Sequence, residues 1–333
     1  NIKLINQIEQ NARSDMMIKK LLMFLNAIKQ VAIDGGDTHQ ELNYAELLLP
    51  KYRKVFYETY DEVPEEYSKI FKVKNSRKSR EYEFGMGAMG AWQEFGSSTA
   101  AVSPGSPMPS INYVTVPKGL ERVFIHKEFA QGFMIERKFL DDEQYGVLEK
   151  MTKDLARAGR YKVETDAASF FNNAFDNIGV ETPSDEATIY DNKPLFANDH
   201  PLVGGGTASN LIEGELSDEN LKAATTLMRK TPDEAGKLVQ FKPDTLVVPP
   251  DLEWLAMELV KSAQKPGTNY NDINALMGRF KILVWDFLTD DKSWFIMDSK
   301  RHQASFYWRV KPEFNKEKDF DTLVSKWSGY MRY

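Results

Sequence analysis

One segment constrains the fold of this chain more than any other: two strand-like stretches flank a long run rich in Gly, Ser, Ala and Pro. Residues 80–84 alternate in polarity, and residues 113–126 are rich in Val, Ile, Tyr and Phe. Both patterns predict strands, which could pair as a hairpin around that run. Limbs of about twenty residues would extend ~60 Å at ~3.3 Å per residue, beyond the body of a domain of this size. We therefore expect the hairpin loop to lie on something other than its own domain.

Within that run, Gly85, Gly87 and Gly90 spell G-x-G-x-x-G, the pattern of a dinucleotide-binding turn. Such a turn binds phosphate because a helix begins at it and presents free N–H groups. Only residues 91–95 could be helical here, and residues 107–110 stand where a second strand ending in an acid belongs. The glycines are better explained by a loop that bends and packs closely. A dinucleotide-dependent enzyme using Gly85–Gly90 is the disfavoured alternative, and we expect no cofactor.

The composition excludes several classes of protein. With 42 % apolar and 28 % charged residues, the 333-residue chain is expected to fold and to be water-soluble. It has no cysteine, which excludes disulfides, zinc–thiolate sites and thiol nucleophiles. A net charge of −6 argues against a globally basic nucleic-acid binder. No run approaches the ~18 apolar residues of a membrane span, and the opening residues lack the apolar stretch of a signal peptide.

Helical spacing of apolar residues predicts a short and a long helix. The short one covers about residues 18–31, and Pro50 and Pro64 should break any long helix after it, so the first 70 residues are interpreted as an arm with short helices. The long one starts at Asp141 and runs for about 35 residues and ~50 Å, interrupted at most by Gly159. One face of it is apolar, so it should lie across a sheet as a spine.

The remaining third of the chain predicts alternating helices and strands. Cap and turn signals indicate a loop at 194–211, a Ser217-capped helix to about Lys230, and a helix opened by Pro249 and Pro250. Strands are predicted at 245–248, 280–287, 293–297 and 304–310. This section is interpreted as an independent α/β layer of roughly a hundred residues.

Three polar clusters could carry chemistry, and each has a simpler explanation. Asp199 and His200 could orient each other or bind a metal, but a structural turn is favoured because no further motif residues accompany them. His126 and Glu128 match half of a zinc deaminase motif, whose cysteines the chain lacks. The acids at 141–143 could bind Mg²⁺, yet the helix macrodipole accounts for acids at a helix start. We expect no enzyme.

Residues 69–80 carry six basic side chains and no acid. Such a stretch is most simply a solvated loop, and otherwise it meets nucleic acid or an acidic neighbour. The sequence leaves these alternatives open. The basic residues are Lys69, Lys72, Lys74, Arg77, Lys78 and Arg80.

The order of these parts resembles the major capsid proteins of tailed bacteriophages with the Hong Kong 97-type fold, in particular the Mu-like major head subunits. The resemblance covers about residue 79 to residue 333. The stretches that carry it are 126–146 (HKEFAQGFMIERKFLDDEQYG), 167–176, 191–210, 246–256, 271–297 and 319–323.

The resemblance implies an α+β capsid fold. Its expected parts are an N-terminal arm at 1–78, an extended loop (a β-hairpin) at 79–126, a peripheral domain with the spine helix at 127–214, an axial α/β domain at 215–300, and a return to the peripheral domain at 301–333. It further implies a subunit that self-assembles into hexamers and pentamers of an icosahedral shell around double-stranded DNA, made in the bacterial cytoplasm and resident in the virion. An encapsulin-like cargo shell is the alternative within the same fold.

The resemblance also implies partners and contact residues. The partners are other copies, packaged DNA bound without sequence reading, and portal, scaffold and possible decoration proteins; no membrane is expected. The inter-subunit contacts expected are Trp92, Phe95, Ile111, Arg77, Lys78, Arg80, Asp141, Asp142 and Glu143. The DNA-facing residues expected are Lys69, Lys72 and Lys74. No lysine occurs between Lys78 and Lys118, so we expect a shell without covalent crosslinks in the loop.

Overall fold

The computed structural model describes residues 44–86, 118–142, 146–175, 193–202, 205–233, 237–264, 272–319 and 321–333. The chain divides into two compact units, residues 1–51 and 52–333; the side chains that are buried in the described ranges belong to the second. The helix predicted at 18–31 lies outside the described residues.

Helices and strands both contribute to the fold, which confirms the α+β class. Helices α1 to α5 are Tyr44–Glu62, Arg137–Asp141, Val147–Asn172, Asp218–Lys230 and Glu253–Lys261. Strands β1 to β6 are Lys72–Asn75, Arg80–Met86, Lys118–Ile125, Glu128–Glu136, His200–Pro201 and Thr207–Ala208. Strands β7 to β12 are Thr245–Val248, Lys281–Val284, Phe295–Met297, Ser305–Trp308, Val310–Lys318 and Val324–Arg332. Short 3-10 turns cover Tyr67–Lys69 and Pro250–Leu252.

Helix α1 contains Pro50, so the expectation that this proline breaks the helix is wrong. A proline inside a helix costs about 3 kcal/mol, because it removes a backbone hydrogen bond and crowds the preceding turn. The helix nevertheless buries Tyr52, Phe56 and Tyr60, which lie four residues apart on one face. The Tyr52 ring meets Trp327 edge-on, with 5.6 Å between centroids. Burial of three aromatic rings outweighs the loss at the proline.

Helix α3 is the predicted spine, but it begins later than expected. It covers Val147–Asn172, 26 residues, or about 39 Å at 1.5 Å per residue. Asp141, the expected start, instead ends the short helix α2. Gly159 lies inside α3 without interrupting it, next to the ring of Tyr60. Helix α3 contacts β4 and β12, which confirms that it lies across a sheet.

The sheet beneath the spine is antiparallel, with strand order β11-β12-β4. Its central strand places the buried Trp327 opposite Phe133. Phe314 on β11 stacks on Trp327 at 5.6 Å and on Phe56 at 5.0 Å. These rings hold α1 against the sheet. No local sequence pattern predicted β4 or β12. The strand expected at 304–310 is two strands, because the chain leaves its pairing with β1 at Arg309 and then pairs with β12.

A second sheet of order β8-β7-β9 is shared between two cores. Its central strand β7 is buried throughout. Leu246 and Val248 pack with α5, whereas Val247 packs on the other face with Trp285 and Phe171 of α3. The α/β layer predicted from the alternating helices and strands is therefore not independent, because one face of its sheet completes the core of the spine helix.

Other local predictions in this section are confirmed. Ser217 caps α4, and its hydroxyl accepts a hydrogen bond from the backbone N–H of Asn220. The short buried strand at 245–248 is β7. Pro250 opens a 3-10 turn that leads directly into α5.

A buried carboxylate joins three parts of the spine core. Glu164 on α3 accepts hydrogen bonds from the backbone N–H groups of Glu66 at 2.8 Å and Tyr67 at 3.1 Å. The indole N–H of Trp285, the residue after β8, donates to the same carboxylate at 3.3 Å. Burial raises the pKa of Glu164 above its usual range, although these three donors oppose the shift. One side chain thus fixes a 3-10 turn, the spine helix and the end of a strand to each other.

Candidate functional site

Strands β2 and β3 form a two-stranded antiparallel ribbon, which confirms that the two strand-like stretches pair. The register places Arg80 opposite Ile125 and Tyr82 opposite Val123. Among the described residues, neither strand pairs with a third. Residues 87–117, which connect the two strands, lie outside the described residues.

The two faces of the ribbon differ in character. Neighbouring residues of a strand point to opposite faces, so Glu81 and Glu83 share one face and Tyr82 lies on the other. Tyr82 is 52 % exposed, and Val123 opposite it is 36 % exposed. An exposed apolar pair on a ribbon that lacks further strands is typical of a surface that another chain covers.

Glu83 ties the ribbon to the parallel pair formed by β1 and β10. The ammonium of Lys74 lies 3.0 Å from Glu83 Oε1 and donates to Tyr307 Oη at 3.1 Å. The Tyr307 hydroxyl donates to the same Glu83 oxygen, and the Phe124 ring packs 5.5 Å from the Tyr307 ring. Burial alone would lower the pKa of Lys74, but its bonds to Tyr307 and Glu83 raise it overall. The charge of Lys74 is therefore balanced within its own chain.

Ser76 makes a second contact with the ribbon, at its base, where β2 begins and β3 ends. Its buried hydroxyl donates to Glu81 Oε1 at 2.6 Å and accepts from the backbone N–H of Lys78 at 3.2 Å. Lys78 Nζ lies 3.4 Å from Glu81 Oε2. The hydrogen bond from Ser76 is the largest cause that holds the pKa of Glu81 below its usual range. The acids that meet the basic stretch thus come from the ribbon, which sequence order does not reveal.

The other basic residues of 69–80 differ in their contacts with the rest of the chain. The ammonium of Lys72 donates to the backbone oxygens of Lys300 and His302, at 3.1 and 2.6 Å. Lys69, Arg77 and Arg80 are exposed. Of the residues expected to face DNA, Lys72 and Lys74 are engaged within their own chain, while Lys69 is exposed. The DNA-facing and inter-subunit assignments in this stretch stay predictions.

Asp141 and Asp142 lie at a helix end, not at a helix start. Asp141 is the last residue of α2 and Asp142 is its exposed C-cap. The macrodipole explanation is therefore wrong, because α3 is capped by Gly146, whose φ of 65° suits glycine. Glu143 lies outside the described residues, and so do Trp92, Phe95 and Ile111. All of these inter-subunit assignments stay predictions.

The Asp199–His200 pair has a structural explanation. Asp199 pairs with Lys193, and His200 Nε2 lies 3.1 Å from Asn210 Oδ1. The same Asn210 oxygen accepts the backbone N–H of Ala197 at 2.9 Å, so the pair belongs to a turn held by Asn210. Of the three motif glycines, Gly85 lies within β2, and Gly87 and Gly90 lie outside the described residues.

Among the residues that the structure describes, no three His, Asp or Glu side chains are grouped to hold a metal ion. None of the helices formed there is long and apolar enough to cross a bilayer.

Comparison with known proteins gives one family. A family described as phage capsid protein matches residues 121–333, which span β4, the spine helix and both three-stranded sheets. No curated protein sequence matches the chain.

Several solved structures are similar at low sequence identity. The capsid of bacteriophage JBD30 has a TM-score of 0.49 and 15 % identity, and the match covers 68 % of this chain and 92 % of that chain. The procapsid of the same phage has a TM-score of 0.49 and 14 % identity, over 74 % and 99 % of the two chains. A chain of Microbacterium phage Oxtober96 has a TM-score of 0.45 and 10 % identity, over 81 % and 84 %.

Proposed function

The chain belongs to the phage capsid protein family and is a major capsid protein of a bacteriophage, and we propose that its copies assemble as hexamers and pentamers into an icosahedral shell around double-stranded DNA. The family match over residues 121–333 carries this proposal. The Mu-like branch and the five-part division of the chain into arm, extended loop, peripheral domain, axial domain and return are part of the proposal.

The two faces of the ribbon support a proposal for how copies of the chain contact one another. It is tied to its own body through Glu81 and Glu83 on one face, while Tyr82 and Val123 are exposed on the other. Subunits that present one surface to a different surface of a neighbour close into rings and shells. We propose that the segment between β2 and β3 reaches over a neighbouring copy and that Trp92, Phe95 and Ile111 find their apolar contacts there, without covalent crosslinks.

Further partners follow from the same proposal. Packaged DNA meets the shell without sequence reading, through Lys69 and other basic residues of 69–80. A portal protein, a scaffold protein and decoration proteins are proposed as additional partners. Assembly in the cytoplasm of the bacterial host precedes residence of the subunit in the virion.

Electron microscopy of the purified chain in negative stain tests the shell directly. We expect uniform hollow particles or capsomer rings, and a persistent monomer under all conditions would overturn the proposal. Deleting residues 85–110 should abolish particles while leaving the thermal unfolding of the subunit nearly unchanged. The contents of particles isolated from cells distinguish the phage shell, which holds DNA, from an encapsulin-like shell, which holds protein.

A further inference from the structure

Three buried side-chain nitrogens at the base of the ribbon lack a hydrogen-bond partner among the described residues. His126 Nε2, Arg309 Nε and Arg332 Nε are buried atoms without a hydrogen-bond partner in the described part of the chain. The whole His126 side chain is buried, with 6 % exposed. A buried donor without an acceptor costs roughly 1–3 kcal/mol, and native proteins contain few of them. Three such atoms in one place require an explanation.

Backbone hydrogen bonds bring the three residues together. The N–H of Arg309 donates to the carbonyl of Arg332 at 2.9 Å. Lys127, which follows His126, exchanges two backbone hydrogen bonds with Tyr333, which follows Arg332. Burial is the largest cause that holds the pKa of His126 below its usual range, and the charges of Arg332 and Arg309 lower it further. The cluster therefore occupies the corner where β3, β11 and β12 meet.

This corner is short of negative charge. Glu128 Oε1 lies 3.3 Å from a terminal nitrogen of Arg332. Glu81, the acid whose charge acts on His126, is already bonded to Ser76 and Lys78. The Arg309 side chain has no hydrogen bond or ion pair with any described residue. A guanidinium offers five donors in a planar fork that matches a carboxylate, so the missing group is an anion.

We propose that His126, Arg309 and Arg332 form an anion site that binds a carboxylate side chain from a second copy of this chain. The second-copy occupant depends on the proposed shell function. The donors are buried, so a slender side chain can reach them where a DNA backbone cannot. The chain has 49 acidic and 43 basic residues, so its copies repel one another overall. The Arg309 guanidinium, which has no acidic partner in the described part of the chain, gives a neighbour's acid a specific place to bind.

The position of the site agrees with a role between copies. The backbone N–H of Ser76 donates to the carbonyl of Trp308 at 2.8 Å, and the register of β1 with β10 places Ser76, the residue before Arg77, beside Arg309. The site thus adjoins the basic residues that the sequence assigns to inter-subunit contact, and it lies where the ribbon leaves the body.

The anion site is tested first on the full chain before assembly. The chain has four histidines, so ¹³C-histidine labelling with H126N as the assignment variant isolates the His126 signal. We expect acetate to shift this signal saturably and to raise the pKa of His126, with at least fivefold weaker binding in R309Q. R157Q is the matched control, because Arg157 is an exposed arginine paired with Asp154 on α3. A His126 signal that acetate does not move would overturn the anion site.

Assembly then tests the occupant. We expect R309Q to raise the critical concentration for shell formation at least tenfold, R309K to raise it less, and R157Q to leave it unchanged. The unfolding temperature of the R309Q subunit should not fall, because an unpaired buried charge is removed. Wild-type assembly by R309Q would overturn the second-copy occupant.

Two further results separate this inference from the proposed function. If the wild-type chain forms no shells but still binds acetate, the shell function and the second-copy occupant fail while the anion site stands. If a short DNA duplex moves the His126 signal of the unassembled chain saturably, the site binds a phosphate, and the carboxylate occupant is wrong.

Discussion

The spine core and the base of the ribbon are stabilised in different ways. The core buries Trp285 and Trp327 almost completely among rings that contact one another, and such burial is strong and insensitive to salt. The base of the ribbon depends on Glu81 and Glu83, whose ion pairs are partly exposed, so each contributes little and weakens as salt rises. The body can therefore be rigid while the attachment of the ribbon responds to its surroundings.

The largest expected effect concerns the aromatic core. Replacing Trp327 by alanine should lower the free energy of unfolding by about 3–5 kcal/mol, because a large cavity remains between Phe314 and Tyr52. Urea unfolding measures the change. The matched control is Trp254→Ala, since Trp254 is 73 % exposed and its loss should cost less than about 0.5 kcal/mol. Equal costs for the two variants would contradict the contrast between core and surface.

Glu164→Ala should have the next largest effect, about 3 kcal/mol. It leaves the N–H groups of Glu66 and Tyr67 and the Trp285 indole without their buried acceptor. Glu164→Gln keeps a carbonyl oxygen in place and should cost less. Chemical denaturation at neutral pH compares the two variants, and equal losses would show that the hydrogen bonds are unimportant.

The difference in stability between wild type and E164Q should depend on pH, and the pKa of Glu164 sets the sign of that dependence. Because the pKa of Glu164 is raised above 4.5 in the folded state, the folded protein binds more protons than the unfolded one above pH 4.5. Stability from this group therefore falls as pH rises through that window. The stability of wild type minus that of E164Q should decrease from pH 4 upward, because only wild type carries the Glu164 carboxyl group. A difference that grows with pH would contradict this sign.

A smaller effect is expected at the base of the ribbon. A double-mutant cycle with Lys74→Met and Glu83→Gln should give a coupling of about 0.5–1 kcal/mol, because the pair is partly exposed. The coupling should shrink in 1 M salt, where the Debye length is about 3 Å. A coupling as large as the Trp327 effect, or one that salt leaves unchanged, would remove the distinction between the two regions.

The smallest effect on the subunit itself is expected at Tyr82. Tyr82→Ala should change the free energy of unfolding by less than about 0.5 kcal/mol, because the side chain is 52 % exposed. Under the proposed function it should still weaken assembly, since a neighbouring copy covers this face. Light scattering during assembly measures the second effect, and normal assembly of Y82A would show that the exposed face is not a contact.

The sequence predicted local features better than long-range ones. Ser217, the strand at 245–248 and the pairing of the ribbon strands followed from short patterns, and the structure confirms them. Pro50 was misjudged because its local cost is offset by aromatic partners more than 250 residues away, as the Arg53–Phe314 separation of 261 shows. The shared sheet was misjudged because alternation along β7 does not identify which helix covers each face.

The polar sites depend even more on distant pairing. Lys74 and Lys78 are neutralised by acids of the next strand, and His126, Arg309 and Arg332 meet only because β3, β11 and β12 converge. No spacing along the chain relates those three residues. Two of the three residues are arginines next to or at the ends of strands, where no local pattern marks them. Only the tertiary structure reveals the cluster.

The strand order of the antiparallel sheet has a consequence for biosynthesis. Its central strand β12 is later in the chain than both strands that flank it, β4 and β11. A ribosome therefore makes the two outer strands before the strand that joins them, and a nascent chain cannot complete this sheet early. The sheet on which the ribbon stands is therefore completed only after β12 has been made, so a nascent chain that lacks β12 does not yet present this folded surface.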